Sequence, residues 1–83
     1  MKMRLFHNIG PNGQGSANVR RFIVDNNLQQ DIEFSNTAYP EAAKSLAQAA
    51  GPNAQPPVLI SDSGPIIGET AIILWLKSHF LGT

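Results

Sequence analysis

Apolar and polar positions along this chain switch between the period of two that a strand requires and the wider spacing of a helix, and the switches mark its elements. Residues 3–8 alternate loosely, with Met3, Leu5 and His7 on one side and Arg4 and Phe6 on the other. Adjacent Leu5 and Phe6 predict a strand buried on both faces. Residues 9–15 are rich in glycine, with Pro11 and Asn12 among them, and read as a loop. Ser16 then stands as an N-cap before Val19, Phe22 and Ile23 at helical spacing. Asn26 and Asn27 close that helix, since asparagine tolerates the left-handed cap conformation. Clean alternation over residues 32–36 predicts a second strand, parallel to the first through a right-handed crossover. Residues 37–40 open a second helix with Pro40 in its first turn. Ala42, Ala43, Leu46, Ala47 and Ala50 form its expected buried stripe, and Gly51-Pro52 stops it.

The richest stretch runs over residues 55–76. Pro56 and Pro57 enforce a turn, because proline cannot donate to a ladder. Val58-Leu59-Ile60 and Ile66-Ile67 flank the turn formers Ser61-Asp62-Ser63-Gly64, which predicts a hairpin. Gly68-Glu69-Thr70 ends the second of these strands and opens a third helix. That helix is apolar around more than one face through Ala71, Ile72, Ile73, Leu74, Trp75 and Leu76, where a one-sided surface helix shows a stripe about 100° wide. Its surplus face calls for a cover. A second copy or a helical partner domain on Ile72, Ile73, Trp75 and Leu76 is the expectation.

Composition narrows what such a chain can do. With 83 residues it is one small domain, expected to bury only about 60–65% of its unfolded surface. It has no cysteine, which removes thiol nucleophiles, thiolate ligands and any dithiol redox couple. Six basic residues balance six acidic ones, and with Arg20-Arg21 the only basic pair there is little electrostatic footprint for nucleic acid. The longest apolar run, residues 71–76, is too short to cross a bilayer, and no signal peptide is visible. A soluble cytoplasmic protein is the default expectation.

The order βαβ, then α, then ββα, with a proline before the third strand, resembles the thioredoxin-like arrangement: an α/β fold with a four-stranded mixed sheet and three helices. Pro56-Pro57-Val58-Leu59, Glu69-Thr70, Ala71-Ile72 and Trp75-Leu76 further resemble the N-terminal domain of glutathione S-transferases, as does Val19-Arg20-Arg21-Phe22-Ile23 in the first helix. The resemblance covers nearly all of the chain and excludes the family's helical second domain. It implies a glutathione-binding domain with a cis Pro56–Pro57 bond, which an X–Pro peptide adopts at a cost of only about 0.5–1 kcal/mol. Glutathione, as ligand or co-substrate, would meet Asn12, Pro57, Val58, Glu69 and Thr70. The third helix's N-terminus suits a γ-glutamyl carboxylate.

Two departures bear on activity. Gly13 stands where the family carries its catalytic Ser or Cys, leaving Ser16 as the candidate catalytic hydroxyl beside its capping role. Pro56 lacks the N–H that the family's residue donates to the ligand. Weak or absent catalysis follows as an expectation, with a non-catalytic interaction or dimerisation domain as the alternative. His7 reads as a strand-end histidine bonded to backbone, and His79 as a cation in the last turn of a helix. Neither has the spacing of a metal site. The loop spacing fits G-x-x-x-x-G, but Ala17 follows Ser16 and no lysine is available for phosphates.

Overall fold

A computed structural model of the chain describes residues 2–11 and 13–82. The elements are β1 (Met3–His7), α1 (Gln14–Asp25), β2 (Ile32–Asn36), α2 (Pro40–Ala50), β3 (Val58–Ser61), β4 (Gly64–Ile67) and α3 (Glu69–Leu76), which continues as a π-helical turn over Lys77–Leu81. The four strands form one mixed sheet in the order β2-β1-β3-β4. β1 runs parallel to β2 and antiparallel to β3, and β3 pairs antiparallel with β4. This βαβαββα chain is α/β and thioredoxin-like in arrangement.

Local chemistry sets the boundaries. Asn26 caps α1 and Asn27 takes a φ of 58°, so the N–H groups of Asn27 and Leu28 reach back to the carbonyls of Val24 and Ile23. This reciprocal pair closes the helix as a Schellman motif. Pro40 opens α2, and Gly51, at a φ of 100°, ends it. Gly64, at a φ of 103°, completes the two-residue hairpin, and the Ser61 hydroxyl accepts from Ser63 N–H while donating to the Gly64 carbonyl. The Pro56–Pro57 peptide is cis.

Alternation along β1 divides the core in two. Met3 and Leu5 join Val19, Ile23, Leu28, Ile32, Leu59, Ile72 and Leu76 under α1 and α3. Phe6 turns to the opposite face, where it packs with Val58 and with Leu46 of α2. The first strand is therefore buried on both faces. The expected alanine stripe of α2 is thinner than its pattern: only Leu46 is buried, and Ala43 is exposed. Methyl groups reach too short a distance to fill that face, and clefts of about 440 and 470 Å3 flank the helix.

The outer helix also differs from expectation. Ile72 and Leu76 are fully buried in the domain's own core, while Ile73 and Trp75 pack half-buried against it. These residues are occupied by β1, β3 and α1, so an uncovered face built on Ile72 and Leu76 is corrected. Leu74, 61% exposed, is what remains outside. No helix among the described residues is long and apolar enough to cross a membrane.

Candidate functional site

The first turn of α1, the turn before β3 and the start of α3 converge. Gly15 marks the contact: a methyl group there would lie 3.5 Å from Glu69 Oε1 and 3.5 Å from Pro57 Cδ, ordinary van der Waals spacing. Glu69, the first residue of α3, accepts a hydrogen bond of 2.9 Å from Asn18 Nδ2. Asn18 in turn accepts from Gln14 Nε2 at 3.1 Å, one helical turn earlier. A polar relay along α1 thus holds the Glu69 carboxylate. Asn18 was not anticipated from sequence; its only local signal was a polar pair with Gln14 at helical spacing.

Pro57 and Val58 are buried, and the Val58 side chain belongs to the Phe6 and Leu46 cluster. Only the backbone of Val58 remains for recognition, and the adjacent Pro57 carbonyl already accepts from Gly68 N–H at 3.0 Å. Thr70 is exposed on the first turn of α3. The first intrahelical bond of α3 runs from Ile72 N–H to the Gly68 carbonyl, so the amides of Glu69, Thr70 and Ala71 lie ahead of the ladder. Pro57, Glu69 and Thr70 are brought to one end of the sheet, while Asn12 lies outside the described residues.

Ser16 is not the N-cap. Helix α1 starts two residues earlier, with Gly13 as its cap, and Ser16 is fully buried inside the first turn. Its hydroxyl donates to Asn8 Oδ1 at 2.8 Å and accepts from Asn8 N–H at 3.2 Å. That reciprocal clasp ties α1 to the end of β1 and leaves the oxygen no exposed surface for a substrate. Gly13 is more constrained still. A methyl group there would sit 2.8 Å from the Asn8 carbonyl oxygen and 3.1 Å from that of Gly10, so the backbone passes too close for any side chain.

His7 finds a side-chain partner rather than backbone. Its Nδ1 lies 3.0 Å from Arg20 Nη1, which also donates to the Asn8 carbonyl at 2.9 Å. Arginine has only donors, so Nδ1 accepts and the neutral ring carries its proton on Nε2. Burial, seconded by the Arg20 charge, lowers the His7 pKa from the ordinary histidine value. His79 lies in the π-helical turn, stacked on Trp75 with ring centroids 4.4 Å apart. Among the described residues no three histidine, aspartate or glutamate side chains are grouped to hold a metal ion.

No family model matches this chain, and neither the curated proteins nor the solved structures compared with it give a match.

Proposed function

We propose that this domain binds glutathione, or a similar peptide-like thiol, without turnover of its own. The observation that carries the binding half is the meeting of Gly15, Pro57 and Glu69 at one end of the sheet. A γ-glutamyl group would find the leading amides of α3, the Glu69 carboxylate and the Thr70 hydroxyl there. Ligand thiol chemistry would have to proceed without help from the protein. Gly13 has no room for a side chain, Ser16 is committed to Asn8, and the chain has no cysteine. Titration of reduced glutathione into labelled protein, followed by amide shifts, tests the reading. Shifts clustered on Val58, Glu69 and Thr70 are expected, and a flat response at millimolar ligand would sink it.

The exposed side of α3 favours a second reading, a protein-interaction or dimerisation domain. Leu74 is 61% exposed and Leu81, two helical turns on, is 45% exposed. Sedimentation over a range of concentrations separates the two: a mass that stays monomeric throughout removes self-association through this face.

A further inference from the structure

Asn8, the first residue after β1, is held by α1 through three of its own groups. Its N–H donates to Ser16 Oγ, its Oδ1 accepts from that hydroxyl, and its carbonyl accepts from Arg20 Nη1 at 2.9 Å. The residue before it is anchored from the other side. The His7 carbonyl accepts from both the N–H and the hydroxyl of Thr37, which follows β2. The end of β1 is thus fixed by Thr37 and α1 by its buried Val19 and Ile23, while the connection between them starts from Asn8.

One nitrogen joins the two residues. Arg20 Nη1 donates to the Asn8 carbonyl and, at 3.0 Å, to His7 Nδ1. The second bond exists only while the imidazole is neutral, because a protonated ring carries N–H on both nitrogens and accepts nothing. Protonation sets two donors and two positive charges against each other across that distance. The ring has little room to turn away, being 8% exposed and edge-on to Phe34 with centroids 5.5 Å apart. Arg20 is only half-buried and is the partner able to leave. Since the same nitrogen makes both bonds, its retreat from the ring carries it from the Asn8 carbonyl as well.

We infer that His7 is an acid-sensitive latch: protonation of its ring expels the Arg20 guanidinium and loosens the junction of β1 and α1 at Asn8. Burial of the ring and the Arg20 charge both oppose protonation, which sets the release below pH 6.5. The other titratable or charged side chains beside the ring are Arg4, Tyr39 and Glu41, which line a cleft with it. Among the described residues only Arg20 hydrogen-bonds to the imidazole. The release is local, because neither Thr37 nor the buried face of α1 depends on Arg20. It leads into the first turn of α1, where Gly15 faces Pro57 and Glu69. The latch does not rest on the glutathione reading, since its readout needs no ligand.

The test is a pH titration of labelled protein without ligand, following the His7 ring and amide hydrogen exchange corrected for its intrinsic pH dependence. Amide shifts alone would report the nearby charge, so exchange decides. Across the midpoint of the His7 ring, exchange of the Asn8 amide should quicken about tenfold, the weight of one hydrogen bond to a charged group. The Thr37 amide, held by the His7 carbonyl, should keep its protection. In Arg20→Met the ring titrates at higher pH and Asn8 exchanges fast on both sides of the midpoint. In His7→Gln, whose carboxamide oxygen can accept from Arg20 at any pH, the Asn8 transition disappears. The second histidine, His79, is read separately through its ring neighbours Trp75 and Phe80. Asn8 exchange that ignores the His7 midpoint, or that quickens equally in His7→Gln, overturns the inference. So does loss of protection at Leu5 and Ile72 together with Asn8, which makes the event global unfolding.

Discussion

A methyl group at Gly13 would press on the Asn8 carbonyl from 2.8 Å, and backbone cannot rotate away as a flexible side chain can. Gly13→Ala is therefore expected to destabilise the domain by about 1–3 kcal/mol in denaturant unfolding. Gly15→Ala is the matched control, because its methyl group meets ordinary contacts at 3.5 Å and gains helix propensity of up to ~1 kcal/mol. Ser16→Ala should cost about 1 kcal/mol, because it strips two groups of the half-buried Asn8 of their hydrogen-bond partner. His7 sets a pH dependence. Its pKa is lowered in the folded protein from 6.5, so below that value the unfolded chain binds the extra proton first. The stability tied to His7 is complete above pH 6.5 and is lost as pH falls through the window beneath it. Urea midpoints measured across that range should decline toward acid, and His7→Gln should flatten this part of the decline.

At the scale of elements, α3 shows how far pattern alone reaches. Six successive apolar residues announce a helix with too much hydrophobic surface, but not which side the core claims. Ile72 and Leu76 went inward because β1, β3 and α1 meet there, a fact of tertiary proximity. Ile72→Ala should therefore cost about 2–5 kcal/mol, whereas Leu74→Ser should change stability within about 0.5 kcal/mol. Any self-association through this helix should disappear in the second variant and not require the first. The strands and the hairpin were legible because alternation and turn residues act over neighbouring positions. Ser16 was misread for the opposite reason. Its partner Asn8 lies across the loop, and nothing near Ser16 in sequence signals that the helix has already begun at Gln14. The candidate site divides in the same way: Pro57, Glu69 and Thr70 stood out by residue type, while Asn18 and the closeness of Gly15 emerged only from packing.

Across the whole molecule, one continuous cluster joins β1, α1, β2, β3 and α3. Loss of any of these elements opens the same core, so unfolding should be a single cooperative transition. Trp75, the chain's one tryptophan, packs half-buried against that cluster and reports on it directly. Its fluorescence and the far-ultraviolet circular dichroism should give coincident urea transitions. Separation of the two curves would mean that the outer helix detaches on its own.

The position of β1 has a further consequence, for the order in which the chain can become protein. Of these four strands, the first to leave a ribosome is an interior one, flanked by β2 and β3. One neighbour is supplied only after the crossover helix has been made, and the other only when residues 58–61 have followed. Leu5 and Phe6, apolar on both sides, therefore wait for one neighbour until residue 36 has been made and for the other until residue 61. Until then the nascent chain presents a short hydrophobic strand with first two open edges and then one, a state prone to wrong partners. Chains arrested before residue 68 should be protease-sensitive on the ribosome, and resistance should arrive abruptly once α3 has emerged.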